Sequence, residues 1–511
     1  MPIEDIGQRL AFPHSFSELP RFVRRVLEDG VIAVNTLLAE TGMPTKPETA
    51  LATERSLFAR FTSMSDLVFA GLLQVAVRSQ EVREDARAAV VDVEAARDYA
   101  LRDHGTRSVI VQFLGGSKMG VKTSYWAPDY SGCVGRPREK RGDSGKGCYP
   151  CLDVLGFVER QTPAVASEIA RQATALASFA EARESLATRE LDLDTKTVRR
   201  TAELLGERAL RCRDERQRVF DVGLLPKGTE FAGKRVAVMF DGGRTLTREG
   251  GRFGRRRRET GRRGFRTVWR EPKLMAIYEV DETGRKKSER PVYEGTFLTW
   301  KGAFRMFAME CWRRGVSDAV ELVIAGDGSK HIWDQIDPFV AALGIAPERV
   351  RKIVDFYHAA EHVYELADLC RDWSAKKRRA WTARALRELR AGRIENVIAA
   401  GETLAIGRRG KKVQKALDYF RNRTEFMRYA RFRRLKLPIG TGVIESTIRR
   451  VVNLRLKNPG TFWDVENAER MLVLRCYLKS GRWDELERDV LAFAATQRRG
   501  FERRRELREV A

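Results

Sequence analysis

Two aspartates and one glutamate stand where their neighbours dictate a particular backbone geometry. Asp241 closes the apolar run Val236-Ala237-Val238-Met239-Phe240, and Asp327 follows Val320-Glu321-Leu322-Val323-Ile324-Ala325-Gly326. Glu445 lies in Gly440-Thr441-Gly442-Val443-Ile444-Glu445-Ser446, where a helix is expected to begin. Strand-end aspartates and a helix-borne glutamate are hard oxygen ligands of the kind that bind Mg²⁺ and leave water on it. Two such ions side by side stabilise both the attacking and the leaving oxygen of an in-line displacement at phosphorus. The expected cofactor is therefore a pair of Mg²⁺ ions, for which Mn²⁺ can substitute, held by Asp241, Asp327 and Glu445 as a catalytic triad. Any one of these acids alone reads as an ordinary surface carboxylate; the order and context of all three carry the inference. Cations relieve their mutual repulsion, so the metal-free site is expected to be the less stable form at neutral pH.

The elements that must position the acids follow from apolar periodicity. Lys234 to Phe240 reads as a strand, and Lys273 to Val280 with Pro291 to Phe297 as a hairpin around Asp281-Glu282-Thr283-Gly284. Trp300 to Gly315 reads as a helix, Val320 to Ala325 as a strand, and Val350 to Tyr357 as a fifth strand. Three strands, helix, strand, helix, strand is the order of an RNase H-like fold, in which the first aspartate lies on the central strand and the second at the end of the fourth. The predicted class is α/β: an RNase H-like catalytic core, with a mixed five-stranded sheet and flanking helices, interrupted by an all-helical insertion. Asp355 and His358, at the end of the fifth strand, are auxiliary active-site candidates, His358 to contact a scissile phosphate or orient water; the alternative is a hydrogen-bonded structural histidine. Glu361-His362 follows one helical turn later, and His331 and Trp333 lie close behind Asp327, Trp333 as core.

Composition points to the substrate. Lys+Arg outnumber Asp+Glu by 95 to 70, a formal charge of +25, which implies a polyanionic partner, nucleic acid first. No apolar run reaches the length of a spanning helix, and the start MPIEDIGQRLAFPHSF lacks a basic region followed by an apolar core. The chain reads as cytoplasmic and nucleoid-associated, and its seven cysteines, without a regular framework, fit a reducing compartment. Between Asp241 and Lys273 lies an arginine- and glycine-rich stretch, including Arg255-Arg256-Arg257-Arg258, too flexible and too charged to fold alone; leaving the strand that carries Asp241, it is expected to follow a phosphate backbone, the alternative being a solvated run. Phe265 and Trp269 within it can stack on an unpaired base.

Upstream, residues 16 to 100 are amphipathic and helical. Val109 to Leu114 reads as a strand, followed by Cys133 and Cys148-Tyr149-Pro150-Cys151. Three cysteines are one short of a structural zinc site, with His104 as a fourth candidate; the alternative is a reduced, unmetallated loop. Between Ser178 and Gly206, two short helices flank an Asp192-Leu193-Asp194 break, with a cap at Asp194 or Thr195. That is the outline of a helix-turn-helix, in which Lys196, Arg199 and Arg200 would meet DNA, or else of a plain helical hairpin. The expected organisation is a helical region (1–104), a cysteine-containing module (105–160), a helix-turn-helix domain (161–230), the first part of the core (231–358), a helical insertion (359–437), the last part of the core with the Glu445 helix (438–490), and a basic tail (491–511).

Taken together, several motifs resemble those of bacterial insertion-sequence DDE transposases, in the manner of the Kra-type group. They are Phe240-Asp241-Gly242-Gly243, Ala325-Gly326-Asp327-Gly328 with Ile332-Trp333, and Asp355-x-x-His358 with Glu361-His362. Gly442-x-x-Glu445-Ser446 running into Arg455-x-Lys457-x-x-Gly460-x-x-Trp463 completes the set. Pro150-Cys151-Leu152-Asp153-Val154-Leu155-Gly156 resembles a Pro-Leu-Asp-x-x-Leu-Gly segment ahead of that family's helix-turn-helix, with Cys151 as a departure. The resemblance spans roughly residues 150 to 490. It implies an enzyme that binds the terminal inverted repeats of its element, cuts at the ends with metal-activated water, and joins the 3′-OH ends to target DNA. At least a homodimer would be needed to bring two ends together. On this resemblance Arg449, Arg455 and Lys457 join the DNA-binding residues. Two other classes remain open: an RNase H-like nuclease or resolvase, and a domesticated DNA-binding protein without catalysis.

Overall fold

In a computed structural model, the fold is described for residues 11–97, 101–128, 147–253, 263–287, 290–458 and 460–494. The chain forms two compact units. One takes the chain up to Cys212 together with the segment from Trp483, and the other runs Arg213–Arg482. The first unit begins with three helices, Leu19–Thr41, Pro47–Ala76 and Gln80–Arg97. Gly30 and Gly71 let the first two approach closely: a Cβ on Gly71 would stand 2.4 Å from the Phe22 ring. The Pro47–Ala76 helix is long and apolar enough, by length and composition, to cross a membrane, which corrects the expectation that no segment reaches that length. Its apolar window is broken by Asp66, whose buried carboxylate accepts the Gly115 and Ser117 N–H groups.

An antiparallel hairpin follows, β1 (Leu101–Gln112) and β2 (Lys118–Pro128), so strand structure starts inside the region expected to be wholly helical. Cys148 packs with Val90, Leu101 and Trp126, and Cys151 in a separate apolar cluster with Leu152 and Phe157. Cys133 lies outside the described residues, and among those described no group of three His, Cys, Asp or Glu side chains is gathered to hold a metal ion. Helices Pro163–Ala175 and Phe179–Ala187 precede a third, Thr195–Asp221, capped by the Asp194 carboxylate on the Thr197 N–H at 2.6 Å. That third helix runs 27 residues rather than ending near Gly206. One interior glycine costs only about 1 kcal/mol, and apolar burial of Val198, Ala202, Leu205, Ala209 and Leu210 outweighs it.

The second unit is built on a sheet. β3 (Arg235–Gly242) is its centre, and Val236 to Phe240 are all fully buried because both faces of the strand are covered. The chain leaves β3 into a two-stranded ribbon, β4 (Thr245–Phe253) and β5 (Gly264–Arg270). Where the sequence suggests a structureless arginine loop, a ribbon forms, because backbone pairing outside the segment holds it: the Arg248 N–H donates to the Trp463 carbonyl at 2.8 Å. Arg255, Arg256, Arg257 and Arg258 lie outside the described residues. β6 (Lys273–Glu279), β7 (Val292–Thr296), β8 (Glu321–Gly326) and β9 (Val350–Val354) complete a mixed five-stranded sheet in the order β7-β6-β3-β8-β9. β6 pairs antiparallel with both β3 and β7, while β3, β8 and β9 are parallel, so β6 alone runs against the other four strands.

Alternation along β3 sends Val236, Val238 and Phe240 to one face, where they form a core with the Trp300–Arg313 and Lys330–Ala342 helices. The opposite face carries the Gly442–Thr447 helix, packed on β3 and β6, and the Val465–Lys479 helix, packed on β7. Between β9 and that face the chain makes the helical insertion, with helices Phe356–Asp368, Ala375–Arg390, Ile394–Glu402, Gly410–Arg421 and Tyr429–Arg434.

A buried charge network stitches β7 to the surrounding helices. Glu469, fully buried, takes Arg213 at 2.5 Å, the Thr296 hydroxyl at 2.8 Å and the Phe297 N–H at 2.6 Å. Arg482 bonds Glu294 at 2.8 Å and Glu310 at 3.2 Å. Such pairs cost desolvation, but once formed each partner depends on the other.

Candidate active site

The parallel register between β3 and β8 places the first two acids. Val238 pairs with Ile324 and Met239 with Ala325. Two residues beyond that last pair, Asp241 and Asp327 stand in the same register on adjacent strand ends, which run about 4.8 Å apart. One strand further, Gly326 pairs with Val354, and the Asp355 N–H donates to the Gly326 carbonyl at 2.9 Å. Three aspartates thus mark the carboxyl ends of three neighbouring parallel strands, the edge at which open α/β sheets form a crevice.

Local backbone groups fix the first two. The Gly242 N–H reaches the Asp241 carboxylate at 2.7 Å. The Ser329 N–H reaches Asp327 Oδ1 at 2.7 Å, closing a turn through Gly328 at φ 83°. The insertion clamps that turn: the Tyr419 hydroxyl donates to the Asp327 carbonyl at 2.9 Å, and the Tyr419 ring lies over Gly328, where a Cβ would meet it at 2.9 Å. The His362 ring lies 3.8 Å, centroid to centroid, from Tyr419 and bonds Glu365 at 2.7 Å, so it braces this clamp.

Asp355, proposed above as an auxiliary active-site acid, is 0% exposed, which corrects that role. One of its oxygens caps the Phe356–Asp368 helix through the His358 N–H at 2.7 Å. The other accepts the Thr441 N–H, and the Thr441 hydroxyl at 2.6 Å. Both of its oxygens are engaged by backbone or hydroxyl donors, so Asp355 acts as a tie between β9 and the segment leading into Glu445. The Thr441 hydroxyl also lies 3.3 Å from Glu445 Oε1. Its single proton serves the shorter contact, which leaves Glu445, an exposed side chain, loosely held.

The Glu445 helix is itself irregular. α-Helical Gly442–Thr447 passes into a π-helical turn, Ile448–Asn453, before the last α-helical residues Leu454–Leu456. Such turns displace backbone carbonyls and are frequent at functional sites. Here the buried Arg475 guanidinium donates to the carbonyls of Arg450 and of Val451, the latter at 3.1 Å. Burial, with the nearby Arg455 charge, brings its pKa down to about 10.

Asp241 registers the convergence of the acids. Its pKa is pushed up to about 7, first by burial and then by the Asp327 and Glu445 carboxylates, against the Gly242 N–H and the His358 imidazole, which favour the ionised form. Asp327, Glu445 and His358 therefore each lie within electrostatic reach of Asp241, although no three acidic or histidine side chains among the described residues are drawn together as a ready-made coordination shell. Carboxylate oxygens in mutual repulsion, on a strand end, a turn and a loosely held helical glutamate, fit a hard divalent cation that would draw them together.

The basic candidates divide. Lys196, Arg199 and Arg200 are exposed in the first turns of the Thr195–Asp221 helix, with Arg199 3.7 Å from Glu203 and Arg200 2.8 Å from Glu159. Arg449 and Lys457 are exposed. Arg455 is not available to a ligand, which corrects its assignment as a DNA-binding residue: at 2% exposure its guanidinium lies 5.1 Å from the centre of the Trp463 ring. His331 is exposed, and Trp333 stacks on Phe426 at 4.7 Å against the main core. Thr441, Tyr419 and Arg475 are the positioning residues that sequence reasoning missed. Only Thr441 carried a signal, as a hydroxyl four residues ahead of Glu445.

No protein-family model matches the chain, and no curated protein matches it.

Proposed function

We propose that this chain is a metal-dependent DNA phosphoryl transferase of the DDE transposase class. The observation that carries the proposal is the shared register of Asp241 and Asp327 on adjacent parallel strand ends, with Glu445 close enough to act on the Asp241 charge. A five-stranded sheet in the order β7-β6-β3-β8-β9, in which β6 alone runs against the other four strands, supports an RNase H-like core. The motif resemblance to Kra-type insertion-sequence enzymes supports transposition over other uses of such a core.

Asp241, Asp327 and Glu445 would hold two Mg²⁺ or Mn²⁺ ions, whose chemistry is to acidify water and neutralise charge on phosphoryl oxygens. The protein's own residues set the geometry. Gly242 and Ser329 N–H groups orient the two aspartates, Tyr419 fixes the main chain of Asp327, and Asp355 with Thr441 fixes the start of the Glu445 helix. His358, held at its backbone by Asp355, presents a proton donor beside Asp241 for a scissile phosphate oxygen. Exposed Lys196, Arg199, Arg200, Arg449 and Lys457 supply phosphate contacts, the helices on either side of the Asp192–Asp194 break read terminal inverted repeats, and the +25 net charge favours association with DNA. The protein works at the nucleoid, in the cytoplasm, as at least a dimer on two transposon ends.

The test is a cleavage and strand-transfer assay on DNA carrying the sequences that flank the gene, with Mg²⁺ or Mn²⁺, comparing wild type with Asp241→Ala, Asp327→Ala and Glu445→Ala. Wild type is expected to join 3′ ends to target DNA, with each variant binding but inactive. Full activity in any variant removes that residue from the triad. Cutting without joining assigns a nuclease, and binding without either assigns a DNA-binding protein.

A further inference from the structure

The root of the β4–β5 ribbon carries a feature that metal-dependent phosphoryl transfer does not itself require. Trp269 pairs across the ribbon with Leu246 and is 53% exposed, a large indole left on the surface. The Arg244 guanidinium lies 5.8 Å and the Lys457 ammonium 5.9 Å from its ring centre. Both distances are at the outer limit of a cation–π contact, so the cations stand beside the ring without covering it. No carboxylate among the described residues pairs with either cation. The neighbouring aromatics are spoken for: Phe265 meets Phe462 edge-on at 5.0 Å, and Trp463 is buried against Arg455.

The location ties this group to the acids. Arg244 follows Asp241 by three residues, so its Cα lies within about 10 Å of that of Asp241. Lys457 ends the helix that begins beside Glu445, and Arg248 of the ribbon is bonded to Trp463, six residues further along. An exposed ring with two unneutralised cations beside it matches a ligand with a flat π-face attached to an anion.

We propose that Trp269, with Arg244 and Lys457, is a stacking site for one unpaired nucleotide of the DNA strand next to the cleavage point. The base lies on the indole while its flanking phosphates meet the two cations. This rests on the proposed function and adds to it that the site selects unpaired over paired DNA. A base within a duplex offers only its edges, so Trp269 contributes nothing to duplex binding.

The test is fluorescence anisotropy of the full chain with a labelled oligothymidylate and with a duplex of the same length, in EDTA so that no cutting occurs. Trp269→Ala is expected to weaken oligothymidylate binding about tenfold and to leave duplex binding within about twofold, since one stacked base supplies on the order of five- to a hundredfold. Trp269→Phe is expected to retain most of the affinity, and Lys457→Ala to weaken both forms and reduce the salt slope by about one. Unchanged oligothymidylate affinity in Trp269→Ala, or equal loss on both DNAs, overturns the stacking site. Because binding in EDTA needs no catalysis, the two readings fail separately. Selective loss without strand transfer removes the transposase and keeps the stacking site; strand transfer without selective loss does the reverse.

Discussion

Replacing Asp241 by Asn is expected to stabilise the metal-free protein at neutral and alkaline pH while abolishing phosphoryl transfer. Asp241 is mostly buried, and its pKa rises from 3.8 to about 7. The native state therefore prefers the protonated acid. Stability from this group is fully present below the ordinary carboxylate range, falls as pH rises between about 4 and 7, and is lost above that. Three units correspond to about 4 kcal/mol as an upper bound, at about 1.4 kcal/mol per unit. Asn keeps the oxygen that accepts the Gly242 N–H and carries no charge for Asp327 and Glu445 to repel. Urea denaturation in EDTA should show Asp241→Asn more stable than wild type by roughly 2–4 kcal/mol at pH 8 and equal to it at pH 4. Adding Mg²⁺ should raise the wild type far more than the variant, because a ligand stabilises only the state that binds it. A variant less stable than wild type at pH 8, or a difference that does not change with pH, would refute the claim that the three carboxylates converge.

Three further perturbations probe the scaffold. Asp355→Ala strands the Thr441 N–H, the Thr441 hydroxyl and the His358 N–H in a buried place, and should cost about 3–5 kcal/mol in urea denaturation together with most activity; Asp355→Asn should fall between it and wild type. Glu469→Ala leaves Arg213 buried without its carboxylate and should lower stability by about 3–5 kcal/mol, read as a lower denaturation midpoint and reduced soluble yield. Tyr419→Phe removes one hydrogen bond to the Asp327 carbonyl, so stability should fall by only about 1 kcal/mol, while the metal concentration needed for half-maximal cleavage rises several-fold. An unchanged metal requirement in Tyr419→Phe means the insertion does not hold the Asp327 turn.

The parts of this molecule legible in its sequence are those in which local pattern and tertiary structure agree. β3 and β8 are apolar runs that lead into Asp241 and Asp327, and a strand buried on both faces reads as a continuous apolar run; β9, with Arg351 and Lys352 between Val350 and Ile353, is the half-buried strand ahead of Asp355. The helical insertion announces itself by composition. The β4–β5 ribbon did not, because its arginines and glycines have neither alternation nor strand propensity. It exists because Thr247 bridges Trp463, more than 200 positions away, and no local signal reports that pairing. Arg455 misled for a related reason. Its charge reads as surface, but the ring that covers it arrives from the following loop.

Asp355 shows why a motif residue's role cannot be taken from its place on a strand end alone. Asp241 and Asp355 each follow a buried parallel strand, and both carry a carboxylate at the same edge of the sheet. The difference lies in the donors around them. Asp355 meets two backbone N–H groups and a hydroxyl, which fix the orientation of its carboxylate at full burial. Asp241 meets one N–H and two like charges, so it remains electrostatically unsatisfied. A site for a divalent cation requires acids of the second kind, and acids of the first kind to keep them in place. Exchanging those environments separates the roles. Thr441→Val should take a hydrogen bond from Asp355 and loosen Glu445 without removing a metal ligand. It should therefore raise the metal concentration needed for cleavage and leave the rate at saturating metal within about two orders of magnitude, since a lost hydrogen bond to a charged group is worth roughly 1.5–3 kcal/mol. Complete inactivity of Thr441→Val at saturating Mn²⁺, in protein with wild-type thermal stability, would instead place Thr441 among the groups that touch the reacting atoms.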